Sequence, residues 1–208
     1  MIVRLAGVLS YAAGLEQQHR ARERVLAGGP DELLLLEHQP VVTLGRRGGV
    51  VDSARLAELG IPTVQTDRGG LATWHGPGQL TGYPIVDLRR RRLAVGDFVA
   101  TLGRLLEALS AEFGVDARWE RERPGVYVGA KKLGSIGLHV HRGVTTHGFA
   151  LNVDCDLAGF AAISPCGATD LAMTTLAREA DRPPTLAQVR DAAASQFTRP
   201  WPVVTTGA

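Results

Sequence analysis

A mixed α/β domain, one sheet with helices packed against it, is the fold this sequence predicts. Three observations lead there. Apolar runs of strand length alternate with stretches of helical period. The late strand-like runs 133–140 and 145–153 are separated only by residues 141–144, His141-Arg142-Gly143 among them, which makes them an antiparallel hairpin. Helices alternating with antiparallel-leaning strands point to a sheet of mixed type. No repeat, low-complexity block or linker interrupts the 208 residues. One domain over 1–208 is therefore expected, a length that a single core can serve.

Residues 3–9 read as a first strand and 11–26 as a helix, with Leu15, Arg22 and Leu26 recurring at helical spacing. Gly28, Gly29 and Pro30 stop that helix. The apolar runs 33–37 and 41–44 flank His38-Gln39-Pro40 and read as a hairpin. Gly45-Arg46-Arg47-Gly48-Gly49 is a basic loop, and 61–66 is a further strand. Residues 67–82 are dense in glycine, which lets backbone approach something closely. A strand over 83–88 runs into the basic cluster Arg89 to Arg92. In the helix over 97–113, Val99, Leu102, Leu106, Leu109 and Phe113 form one apolar stripe, and Gly114 ends it. Strands follow at 117–119 and 125–128, then the hairpin. A short helix near 171–178 and a last helix from Thr185 complete the chain, the latter opened by a Thr185/Gln188 capping box.

Composition narrows the function. Hydrophobic residues make up 45% and charged residues 21%, as in soluble globular proteins. The 23 basic and 21 acidic residues leave a net charge of +2, too weak a field for a nucleic-acid binder. Two cysteines, Cys155 and Cys166, make no disulfide framework and suit a reducing compartment. No apolar run reaches the ~20 residues that span a bilayer. The start carries one arginine and only a short apolar run, so a cytoplasmic location is expected rather than export.

Cys166 stands between Pro165 and Gly167, in a turn, where reactive groups are commonly displayed; a lone cysteine is otherwise a small core hydrophobe. Lys132 opens the strand KLGSIGLHV among small and apolar neighbours. A cysteine with a pKa of about 8.5 is only a few per cent thiolate at neutral pH, so a nearby lysine, as cation or as base, would activate it. The sequence alone does not bring the two together. His139, His141 and His147 lack the further ligands of a metal site, and no metal is expected. Gly76, Gly78 and Gly82 miss the dinucleotide fingerprint by one residue and enclose Pro77, and no phosphate loop is present, so no cofactor is expected. His75 and His147 read as polar groups lining a site.

Asp67-Arg68-Gly69-Gly70, Thr73 and His75-Gly76-Pro77-Gly78-Gln79 resemble the RGGxxTxHGPGQ signature of the octanoyltransferases of lipoate synthesis. Lys132-Leu133-Gly134-Ser135-Ile136-Gly137 resembles that family's lysine segment, His147-Gly148-Phe149-Ala150-Leu151-Asn152 its HGfALN block, and Pro165-Cys166-Gly167 its nucleophile turn. Trp74 stands where many members have tyrosine. The resemblance implies an α/β catalytic domain like that of the biotin and lipoate protein ligases. It also implies transfer of an octanoyl group from octanoyl-acyl carrier protein to a specific lysine of lipoyl domains, through a thioester on the enzyme. The acceptors would be the lipoyl domains of 2-oxoacid dehydrogenase complexes and the glycine cleavage H protein. Cys166 would be the nucleophile, and Lys132 would lower its pKa and shuttle protons. Arg68, Gly69, Gly70, Leu71, Ala72, Thr73, Trp74, His75, Ser135, Ile136, Gly137, Gly148, Phe149 and Ala150 would line the acyl site. Both protein partners tend to be acidic, which makes Arg46, Arg47 and Arg89 to Arg92 docking candidates. The rivals are an ATP-dependent lipoate or biotin ligase, which needs no cysteine, a thiol hydrolase pairing cysteine with His147, and a non-catalytic acyl-protein binder.

Overall fold

The computed structural model describes residues 1–163 and 171–199. Seven strands make the main sheet. Strand β1 (Ile2–Leu9) lies parallel to β2 (Glu32–His38), and helix α1 (Tyr11–Leu26) makes the crossover between them. Ser10 caps α1, its Oγ accepting from the Ala13 amide, which satisfies one of the orphan donors of the first turn. Next come β6 (Gln79–Ile85), β10 (Val144–Asn152), β9 (Lys131–His141), β8 (Gly125–Val128) and β7 (Arg118–Glu120), each antiparallel to its neighbour. A mixed sheet and the β9/β10 hairpin are both as expected.

The unbroken apolar run of β2 follows from burial on both faces. Leu33 and Leu35 pack into the core under helices α4 (Val95–Ala111) and α6 (Leu186–Thr198), while Leu34 and Leu36 face α1. The stripe expected on α4 is there: Leu102, Leu106 and Leu109 are fully buried, and Val99 and Phe113 pack at the margin. Helix α1 presents a different face from the one its leucines suggested. Tyr11, Gly14, Gln18, Ala21 and Val25 are its buried residues. The His38 ring dictates this rotation: a Cβ at position 14 would stand 2.6 Å from its Cε1, so only glycine lets the helix approach.

The hairpin expected at 33–44 does not form. After Pro40 the chain leaves the main sheet, and β3 (Val41–Leu44) becomes the centre of a second sheet, parallel to β4 (Thr63–Gln65) and antiparallel to β5 (Thr73–His75). Proline cannot donate to a ladder, and a clean hairpin return on β2 would have cost β6 its place there. Between β3 and β4 lies the short helix α2 (Ser53–Glu58), which the sequence reading missed. Trp74, Phe160 and Ile163 fill a separate small core behind this sheet.

Strand β6 begins four residues earlier than the apolar run 83–88 suggested, inside the glycine-rich stretch. Gly82 explains the shift: the Phe149 ring of β10 lies across it, with Cζ 2.1 Å from where a Cβ would be. The basic cluster forms helix α3 (Leu88–Arg91), capped by Asp87. Arg90 and Arg91 each donate to the Asp31 carboxylate at 2.6 Å, so part of this cluster neutralises a buried acid. Helix α5 (Leu176–Glu179) is shorter than expected, and the Thr185/Gln188 capping box opens α6 as expected.

Candidate active site

Between the two sheets lies a cavity of about 350 Å³, at the lower end of the ~300–1,000 Å³ usual for small-molecule sites. One wall is the turn 68–72 with Thr73 and His75 of β5. The opposite wall is Lys132 and Ser135 to Leu138 of β9 with His147 to Ala150 of β10, and Tyr11 and Tyr83 close one end. The walls meet through backbone: the Gly69 amide donates to the Leu138 carbonyl at 2.8 Å. Gly137 permits that contact, because a Cβ there would stand 3.0 Å from the Gly69 oxygen.

Arg68 is buried, and its guanidinium holds β3: it donates to the Thr43 carbonyl at 2.6 Å, to Thr43 Oγ1 at 2.8 Å and to the Gly69 carbonyl at 3.1 Å. A planar fork with five donors suits such multiple bonding. The basic loop folds over the same turn, the Arg46 amide donating to the Arg68 carbonyl and the Arg47 amide to that of Gly70. Arg47 thereby reaches the cavity.

His75 sits in a chain of side chains. Gln79 donates its amide to Asn152 Oδ1 and to the Trp74 carbonyl, which leaves Gln79 Oε1 to accept from His75 Nδ1–H at 2.8 Å. Asn152 donates to the Thr174 carbonyl, and the Thr174 amide donates to the carbonyl of Lys132. This chain ties β5, β6 and β10 to the start of β9. His147 adopts a left-handed φ of 57°, unusual for a side chain larger than glycine and found most often at functional sites. Two bonds hold it there. Its amide donates to Gln18 Oε1 at 2.7 Å, and Nε2 bonds Asp67 Oδ1 at 2.7 Å. Burial is the largest single influence on the Asp67 carboxylate and raises its pKa, but the His147 bond, the charges of His147 and His139 and a backbone bond together outweigh it and hold the pKa below the usual range.

The buried imidazoles are kept neutral. Burial pushes His38 down to about 4, despite its bond to the Leu9 carbonyl. It holds His75 well below its ordinary value, aided by His38 and Arg68, and lowers His147 against the pull of Asp67. In the unfolded chain all three titrate near pH 6.5. Between the folded and unfolded values the unfolded state binds more protons, so stability is full above about pH 6.5 and falls as pH drops toward 4. His38 alone contributes about 3 kcal/mol of that loss. Urea unfolding across this window is expected to show the decline, with a shallower slope for His38→Gln.

Lys132 is 2% exposed and sits where Met173 bridges to β9. Arg68, Gly69, Gly70, Leu71, Ala72, Thr73, His75, Ser135, Ile136, Gly137, Gly148, Phe149 and Ala150 all border the cavity together with Lys132. Trp74 does not. On the pleat of β5 it points opposite to Thr73 and His75, and its ring packs edge-on against Phe160 in the small core, 5.4 Å between centroids. It is thus the one expected acyl-site residue whose side chain the structure places in the small core and not at the cavity. Cys166 lies outside the described residues. The lining groups that sequence reading missed are Tyr11, Tyr83, Arg47, Leu138, the 122–124 turn, and Val95 and Val99 of α4. Only Tyr11 left a signal: with Gly14 and Gln18 it marks a helix face that is small and polar yet buried.

The sequence of residues 10–198 matches the family model described as the lipoyl protein ligase A/B catalytic domain. An octanoyltransferase of Mycolicibacterium smegmatis is 45% identical over 199 residues, 93% of this chain and 86% of the relative. The chain belongs to the lipoyl protein ligase A/B catalytic domain family. Solved structures share its fold at low identity. A lipoate-protein ligase A bound with ATP superposes with a TM-score of 0.73 at 17% identity, over 95% of this chain and 83% of that one. The biotin protein ligase of Aquifex aeolicus gives 0.54 at 14%, over 95% and 67%. The α/β architecture expected from the sequence is thus that of the lipoyl and biotin ligase catalytic domains, and the cavity lies on this family's scaffold.

Proposed function

We infer that this chain is an octanoyltransferase of protein lipoylation, taking octanoyl from acyl carrier protein and delivering it to a lipoyl-domain lysine. The observation that carries the reading is Lys132, buried at the cavity beside the stretch that leads back to Cys166 in sequence. The Cys166 thiolate attacks the carbonyl carbon of the donor thioester. The new S–C bond forms as the bond to the donor sulfur breaks, and Lys132 gives its proton to the departing thiolate. The acceptor lysine amine then attacks the enzyme thioester, Lys132 takes the amine proton, and Cys166 leaves as thiolate. Thioester exchange is nearly neutral in energy and amide formation is downhill, so no ATP is consumed. The remaining cavity-lining groups hold the chain: about six methylenes at ~0.8 kcal/mol each give near 5 kcal/mol of anchoring before losses. The 2-oxoacid dehydrogenase lipoyl domains and the glycine cleavage H protein are the acceptors proposed, in the cytoplasm.

Intact-protein mass spectrometry of the enzyme mixed with octanoyl-acyl carrier protein, without ATP, tests this. One hydroxylamine-labile octanoyl group on the peptide containing Cys166 is the expected result. Acylation only with free octanoate and ATP would instead indicate a ligase. Docking has its own test. Arg46 and Arg47 ride on the loop at the cavity rim, whereas Arg90 and Arg91 are paired with Asp31. Arg46→Glu with Arg47→Glu is therefore expected to lower kcat/KM for acyl carrier protein about tenfold at low salt, with a weaker effect at high salt. Arg89→Glu with Arg92→Glu should do less.

A further inference from the structure

We propose that Tyr127 is a positioning residue for Lys132, its ring holding the end of the lysine side chain in place by a cation–π contact. The inference rests on the catalytic reading of Lys132. Three independent observations support it.

The ladder between β8 and β9 is interrupted. Val126 pairs with Gly134, but Tyr127 pairs with Lys132, so Leu133 is an extra residue on β9. A bulge of this kind re-aims the side chains on one side of it. Directly paired residues share a face, and Gly125, which pairs with Ser135, shares its face with Tyr127. Lys132 is thereby turned onto the face of Ser135, while Leu133 goes to the core at 0% exposure. In a regular ladder Lys132 would point the other way.

The ring is then where the ammonium needs it. Lys132 Nζ lies 5.4 Å from the Tyr127 centroid, inside the range of about 6 Å for such contacts. Tyr127 is 1% exposed, so little water weakens the attraction. Its hydroxyl donates to the Arg123 carbonyl at 3.0 Å, which fixes the ring, and the Arg123 guanidinium also lies over it, 4.8 Å from the centroid. Arg123 is paired with Glu120 at 2.7 Å, which tempers its competition for the ring.

Gly125 supplies the third observation. A Cβ there would come 2.8 Å from Lys132 Cε and 2.4 Å from the Gly134 carbonyl oxygen. The lysine stem therefore lies directly across the glycine, one strand pleat from the ring.

The test is a series at position 127 of phenylalanine and its mono-, di- and trifluorinated forms. These are nearly isosteric, and each fluorine weakens the negative face of the ring. Both the rate of octanoyl loading from acyl carrier protein and the rate of cysteine alkylation by iodoacetamide are expected to fall stepwise, about tenfold from phenylalanine to the trifluoro form. Tm should stay constant, and KM for the donor should not change. The same series in Lys132→Met should be flat, since the coupling then has no partner. Flat rates in the Lys132 background would overturn the proposal. If Lys132→Met itself loads octanoyl at the wild-type rate, the catalytic reading of Lys132 has failed first, and the two failures are told apart.

Discussion

Octanoyl transfer is expected to disappear when Cys166 is replaced by alanine, with kcat/KM falling by about five to six orders of magnitude, the scale on which enzymes lose a covalent nucleophile. Without the sulfur neither half-reaction has a carrier, and the two protein partners would have to meet over one cavity at once. Transfer from octanoyl-acyl carrier protein to an isolated lipoyl domain measures this, with the acyl-enzyme followed separately. Cys155→Ala is the control. That thiol is 5% exposed and burial pushes its pKa up to about 12, so it is almost wholly protonated and packs in the small core with Trp74. Its removal should cost some stability and leave the rate unchanged. A Cys166→Ala enzyme that still transfers octanoyl at the wild-type rate would rule out the thioester route.

Lys132→Met is expected to lower kcat about a thousandfold, within the 10²- to 10⁴-fold range that positioned proton transfer supplies, with little change in KM for the donor. Methionine matches the lysine stem in length and carries no charge. The packing of the stem is kept, so Tm should stay close to that of the parent enzyme. That combination separates chemistry from folding: a rate lost together with Tm would mean that Lys132 is a packing residue. Single-turnover loading of the enzyme by octanoyl-acyl carrier protein gives the acylation step directly, and acceptor addition gives the second.

Residues with a strong local signature were legible in the sequence. The β9/β10 hairpin follows from two apolar runs across a short turn, the α6 start from Thr185 and Gln188, and the α4 stripe from its leucine spacing. Those signals are short-range and need no partner. The second sheet was hidden because β3 and β5 pair across about thirty residues, and nothing local says that the chain leaves β2 after Pro40. The inward face of α1 was misread for a related reason: what decides it is the His38 ring, met only in three dimensions. At the site, the glycines 69 and 70 were visible as positions of close approach and the glycines 137 and 148 only as members of family motifs, and the partners of all four were not visible. Trp74 was carried by its motif neighbours, and only the pleat of β5 shows that it turns its back on the cavity. The bulge at Leu133 could not be read from spacing, since it depends on how two strands count against each other.

Strand β10 is buried along its whole length and flanked by β6 and β9. It supplies His147 to Ala150 to the cavity and is also the middle of the seven-stranded sheet. The cavity floor is therefore laid in the centre of the main sheet, and the lining it supplies depends on the strands paired on either side of it. Inherited or engineered changes far away, on β1 or β7, would thus reach activity through abundance: fewer molecules standing at any moment, each turning over at the full rate.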